Sequence, residues 1–150
     1  MLRSGLCFFL FTGLVFCQTK KQLGHAPCEG LKQRIAKEFK NVEFKTRPGQ
    51  SCRASLFVNE SRLDYAEDLT GRLYKNLSLY QTVFEQSEMK VKRKRLKLAG
   101  IETVRLEIIP KRSGNRVKTI NYYQKYRNVS FGQSARADVI KLAIWLMSQK

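Results

Sequence analysis

Thr103-Val104-Arg105-Leu106-Glu107-Ile108 decides the fold, because apolar and polar residues alternate along it. Val104, Leu106 and Ile108 fall on one side, and Thr103, Arg105 and Glu107 on the other. A two-residue period belongs to a half-buried strand, not to a helix. Ser113-Gly114-Asn115 supplies a turn, and Val117 to Tyr126 returns as a partner strand rich in β-branched and aromatic residues. A β-hairpin is therefore expected over residues 103–126. An isolated hairpin is marginal in water, so its apolar side must meet further strands or helices.

Those partners are read outward along the chain. After the hairpin, residues 134–148 carry a helical stripe of Ala135, Val139, Leu142, Ala143 and Leu146, with Trp145 beside it. Before it, residues 31–41 form a short amphipathic helix, with Leu31, Ile35 and Phe39 at four-residue spacing and Lys32, Arg34, Lys37 and Lys40 on the other faces. Val42 to Thr46 reads as a strand, Pro48-Gly49 as a turn, and Ala54 to Val58 as a buried strand ending at Asn59. Residues 62–78 read as a second helix with the stripe Leu63, Ala66, Leu69, Leu73 and Leu77. Asp64, Glu67 and Asp68 would then load its first turns with negative charge, which the helix dipole favours. Thr82 to Phe84 reads as a strand. Glu88 to Ala99 stays open, since Met89 and Val91 share one strand parity while Leu96 and Leu98 share the other. A helix ending at Gly100 and a bulged strand fit equally. The sum is a single α+β domain with a mixed or antiparallel sheet and helices packed on it.

Part of this order resembles the amino-terminal domain of the translocation protein TolB. The likeness is carried by Leu56-Phe57-Val58-Asn59, the helix over Leu63 to Leu77 and the strand Thr82 to Phe84. It continues through Leu98-Ala99-Gly100-Ile101-Glu102 and the hairpin around Gly114-Asn115-Arg116-Val117. The resemblance implies a cell-envelope interaction domain without enzymatic activity. No functional residue carries over, and the propeller that follows this domain in TolB has no counterpart here.

The beginning of the chain points to export. Arg3 precedes an uncharged run, Leu6 to Phe16, broken only by Thr12 and Gly13 and followed by Gln18-Thr19-Lys20-Lys21. A membrane-spanning helix needs about 20 apolar residues, and this run is shorter, as in a secretory signal. Leu14-Val15-Phe16-Cys17 resembles a bacterial lipobox, in which the cysteine becomes the lipidated first residue. Phe16 stands where a small residue is usual, a looser box of the kind that spirochaetal lipoproteins carry. Ordinary cleavage after Cys17 is the competing reading. The expected organisation is a signal over residues 1–17, a tether over 18–30 and a basic domain over 31–150.

Removing the signal leaves 133 residues, enough for one domain with its own core. Cys28 and Cys52 are then an even pair, read as one disulfide in an oxidising compartment, with two buried free thiols as the alternative. His25 is the only histidine. It has no second pair of ligands with which to complete a zinc site, and no cofactor is expected. A Cys28–His25 nucleophile is disfavoured for the same reason that favours the disulfide. Carboxylates, glycines and serines form no recognisable catalytic or phosphate-cradling motif.

Charge is the strongest remaining feature. The chain carries a net +17, and residues 89–127 hold thirteen Lys or Arg against only Glu102 and Glu107. Lys90, Lys92, Arg93, Lys94, Arg95 and Lys97 form the densest run, and Lys111, Arg112, Arg116 and Lys118 crowd the hairpin turn. Such a surface steers a protein to polyanions, and Tyr122, Tyr123 and Tyr126 among the charges could stack on a ligand. Solvated strand faces and core tyrosines account for the same residues. Outside a cell the available polyanions are anionic lipid and acidic glycans, with nucleic acid disfavoured. Asn59, Asn76 and Asn128 head three glycosylation sequons, which carry meaning only in a eukaryotic secreted protein. The expected protein is an exported, lipid-anchored envelope module that binds or assembles with an envelope protein or an anionic surface. The alternative is a freely secreted basic protein that binds polyanions.

Overall fold

A computed structural model describes residues 26–112, 114 and 118–150. The lipobox-like stretch with Cys17, residues 18–25 of the tether, most of the hairpin turn and Arg116 lie outside the described residues. The chain runs α1 (Ala26–Glu38), β1 (Val42–Thr46), β2 (Arg53–Val58), β3 (Ser61–Glu67), α2 (Arg72–Lys75), α3 (Leu77–Gln86), β4 (Met89–Leu98), β5 (Ile101–Pro110), β6 (Thr119–Gln124), β7 (Arg127–Gly132) and α4 (Ala137–Ser148). The strands form one antiparallel sheet in the order β1-β2-β3-β7-β6-β5-β4. The domain is α+β, and β5 and β6 make the expected hairpin, with Val104 opposite Tyr123 and Ile108 opposite Thr119.

Two-residue turns set the register of three hairpins. Val58 pairs with Ser61 across Asn59-Glu60, and both turn residues have positive φ, 47° and 67°. Leu98 pairs with Ile101 across Ala99-Gly100, with φ of 50° and 81°. Two successive positive φ angles mark the turn whose twist matches that of the flanking strands. The third turn, Lys125-Tyr126, joins β6 to β7.

One face of the sheet is covered by α1 and α4. Leu56, Leu63 and Val129 from the sheet, Leu31 and Ile35 from α1, and Val139, Leu142 and Leu146 from α4 share one buried cluster. Burying each of these side chains contributes about 2 kcal/mol. Phe39, just past the end of α1, meets Trp145 of α4 edge-on at 5.5 Å. Gln124 and Arg127 tie the end of α4 to the sheet by donating to the carbonyls of Met147 and Leu146, at 2.6 and 3.2 Å. These carbonyls lie in the last helical turn, where intrahelical partners are missing. Among the described residues the opposite face is covered at one end only, where Leu77 at the start of α3 packs on Val104 and Leu106.

Several expectations are corrected. Residues 62–78 are not one helix. Ser61–Glu67 is a strand paired with both β2 and β7, and the helical residues that follow are α2 and α3. Asp64 and Glu67 therefore lie in β3 and serve no helix terminus. Asp68 does: its carboxylate accepts from the Leu73 and Thr70 amides at 2.9 and 3.0 Å and from the Thr70 hydroxyl at 2.6 Å. The Thr70 hydroxyl, ahead of the backbone donors, holds its pKa below the usual value. Thr82 to Phe84 belongs to α3, so the strand–helix–strand order behind the TolB likeness is absent over residues 56–84. Residues 26–30, expected in the tether, are the first turns of α1. The carboxy-terminal helix begins at Ala137 rather than Ser134. Within Glu88–Ala99, Met89–Leu98 is an unbulged strand, since all ten residues of β4 pair in register with β5.

Cys28 and Cys52 form a disulfide that joins α1 to the residue before β2 across 24 positions of sequence. Both are buried, at 4% and 0% exposure. Closing a loop of this size stabilises the fold by about 3 kcal/mol. The Cys28→Ala/Cys52→Ala variant should lose about this much unfolding free energy in urea titration, and dithiothreitol should shift the parent chain by a similar amount while leaving the variant unchanged.

Candidate anion-binding site

The cations of residues 90–97 lie on β4, which among the described residues is an edge strand paired only with β5. Alternation divides them between the two faces of the sheet. Arg93, Arg95 and Lys97 stand opposite Leu106, Val104 and Glu102, on the face that carries α3. Lys90, Lys92 and Lys94 stand opposite Ile109, Glu107 and Arg105, on the face that carries α4. The sequence run is thus two rows back to back, not one patch. Lys92 to Arg95 are all exposed.

On the α3 side the row borders a groove of about 630 Å³. Its walls include Tyr74, Lys75 and Ser78 from α2 and α3, and Arg93, Arg95 and Lys97 from β4. Among the described residues, four cations thus face a groove to which Glu102 is the one acid contributed. Its floor is apolar: Leu77 and Val104 are buried, and Tyr74, Val91 and Tyr123 pack against them. Arg93 Nη1 donates to Ser78 Oγ at 3.1 Å, which fixes one guanidinium against the helix. Lys75 and Ser78 were not legible as site residues, because residues 62–78 read as one helix with its apolar stripe in a core.

On the α4 side the cations have a counter-ion. Glu107 is 9% exposed and takes Lys118 and Arg105 as ion-pair partners, the latter at 3.2 Å. The hydrogen bond from Lys118 holds its carboxyl below the usual range, with Arg105 and Lys92 adding to the effect against the opposing cost of burial. Lys118 is therefore a structural partner before it is a ligand contact. Near the hairpin end, Arg112 pairs with Glu88 at 3.2 Å, and the Lys111 amide donates to the Glu88 carbonyl. Exposed pairs of this kind contribute little, so Lys111 and Arg112 stay accessible.

The tyrosines divide by role. Tyr122 packs in the main core, its ring 6.1 Å from that of Phe131. Tyr123 packs under α3, where burial and then the neighbouring Tyr80 raise its pKa. Tyr126 is 49% exposed in the β6–β7 turn, under the Lys125 ammonium at 4.8 Å. None of the three is among the residues that line the basic groove, and Tyr126 lines a separate one with Arg34 and Leu69. Asn59 donates to Asp138 at the start of α4, at 2.9 Å.

Asp64 sits on the uncovered half of the sheet, held by the Ser55 hydroxyl at 2.6 Å and by Arg62 and Arg47 at 3.0 and 3.5 Å. Glu67 accepts from the buried Tyr65 hydroxyl at 3.1 Å, and burial raises the Tyr65 pKa. Among the described residues no three His, Cys, Asp or Glu side chains are grouped to hold a metal. No described helix is long and apolar enough to cross a membrane. Comparison of the chain with protein-family models, curated proteins and solved structures finds no match.

The Glu107 pairing carries a pH signature. A carboxyl whose pKa is depressed on folding adds stability above its unfolded value of about 4.3 and loses it as pH falls through the folded value. Glu107→Gln should cost on the order of 1 kcal/mol at pH 7. In urea titrations the gap between variant and parent should stay constant from neutrality to mildly acidic pH and close below about pH 4. A gap independent of pH would show that the carboxylate charge is not what matters.

Proposed function

We propose that the chain is an exported, disulfide-bonded binding module whose β4 end engages an anionic partner. The observation that carries this reading is the groove in which Lys75, Arg93, Arg95 and Lys97 converge with only Glu102 against them. Like charges held this close repel one another, and an anion between them removes the repulsion. The buried Cys28–Cys52 disulfide supports an oxidising compartment. The short apolar run ahead of Gln18 supports the same route. Asp64 and Asp68, outside the site, have structural partners, which supports binding rather than catalysis.

Retention on heparin, used as a generic polyanion, tests the reading. Each cation near an anionic surface contributes about 1 kcal/mol at moderate salt. The Arg93→Gln/Arg95→Gln/Lys97→Gln variant should therefore bind on the order of a hundredfold more weakly, and Arg47→Gln/Arg62→Gln, on the uncovered half-sheet, should bind as the parent does. Equal loss in the two variants would reduce the effect to net charge. Unchanged retention in the triple variant would remove the groove from the function.

Leu14 to Cys17 supports a second element, a lipid anchor at Cys17 with a short tether to α1. In the native host, intact mass spectrometry of the mature protein should show a chain beginning at Cys17 with acyl increments. A mature chain beginning at Gln18 would establish free secretion and leave the anion-binding surface as the whole function.

A further inference from the structure

We infer that the free side of β4 takes an extended acidic polypeptide as an additional strand, which specifies the anionic partner proposed above and rests on that reading. Every edge strand offers unpaired N–H and C=O groups at alternate residues. Here that edge is ten residues long and terminates a seven-stranded sheet. The other edge, β1, has five residues, and its Lys45 and Glu43 neutralise each other at 3.0 Å.

The two rows of cations select the ligand's shape. Lys90, Lys92 and Lys94 lie to one side of the edge, and Arg93, Arg95 and Lys97 to the other. A flat anionic surface resting against either face would meet one row and leave the other idle. A chain running along the edge meets both, provided its charged groups alternate from side to side. An extended polypeptide does this, because its side chains alternate and recur on each face about every 6.8 Å, the spacing of the cations themselves. Main-chain hydrogen bonds then supply affinity, and the flanking charges supply selectivity.

The same charges bar the commonest wrong partner. Two copies paired through β4 would set cations opposite cations, which is destabilising in a sheet. Lysines on an edge are a known defence against such pairing. A strand with acidic residues on both faces converts that repulsion into attraction, so one feature rejects self and admits the partner.

The test uses the full chain and three labelled probes at low salt: a heparin oligosaccharide, a capped peptide of repeating Glu-Glu-Thr-Thr, which sets glutamates on both faces of a strand, and the same peptide N-methylated at every residue. N-methylation keeps the charges and removes the donors. Fluorescence anisotropy should show the unmethylated peptide binding and the methylated one weaker by about tenfold or more. Hydrogen exchange should slow at outward amides of β4 only with the first. Equal affinity for the two peptides, or no slowing in β4, would overturn strand addition. If heparin binds while the glutamate peptide does not, strand addition falls and the anion site stands. If neither binds, both fall.

Discussion

The pairing of β3 with β7 holds the structure together. It sets Leu63 opposite Phe131 and Tyr65 opposite Val129, residues that are more than sixty positions apart. On one side of this seam lies a meander of three strands, β1 to β3. On the other lies a meander of four, β4 to β7. Each can form from local hairpins alone, but neither presents enough apolar area for α1 and α4. Only the joined sheet provides a continuous surface running from Leu56 through Leu63 and Val129 to Tyr122. The entropic cost of closing so long a connection grows slowly with its length, and the seam is followed directly by α4, which seals it.

The seam also fixes where the charges go. The chain leaves β3 at the middle of the sheet, crosses the uncovered face through α2 and α3, and restarts at the far edge. The most basic segment thereby becomes the strand with one neighbour. A central position would bury six cations between two strands without counter-ions, at a cost that no nearby acid could offset. The periodicity of β4, which fits neither a regular strand nor a clear helix, has its cause here. Val91 packs under α3 on one face, while Leu98 packs into the main core on the other. The strand passes between two cores on opposite sides of the sheet, so its apolar parity switches without any bulge.

What the sequence disclosed followed from how far each signal reached. The β5–β6 hairpin and α4 were legible because their apolar patterns run for several periods. Residues 61–67 were not. Leu63, Ala66 and Leu69 fit a helical stripe as well as Leu63 and Tyr65 fit a strand, and the segment has no β-branched residue to decide between them. The deciding element is the Asn59-Glu60 turn, and a glutamate in a left-handed position does not advertise a hairpin as glycine does. Conversely, Thr82-Val83-Phe84 has strand composition, yet it completes a helix whose outer face leaves Leu79 and Val83 at 64% and 49% exposure. The cations of the site were visible as composition. Their division into two rows required the register, and the groove wall from α2 and α3 required the tertiary fold.

The position of the disulfide has a mechanical consequence. Helix α1 is the first described element, and its amino-terminal turn holds Cys28. Tension applied from the preceding segment does not peel the helix away from the sheet turn by turn. It passes through the sulfur bridge to Cys52, whose carbonyl accepts from the Glu67 amide at the end of β3. The load thus enters the sheet at the β2–β3 ladder. The remainder of α1 stays unstressed, so a pulled molecule would keep its core closed and its basic edge presented.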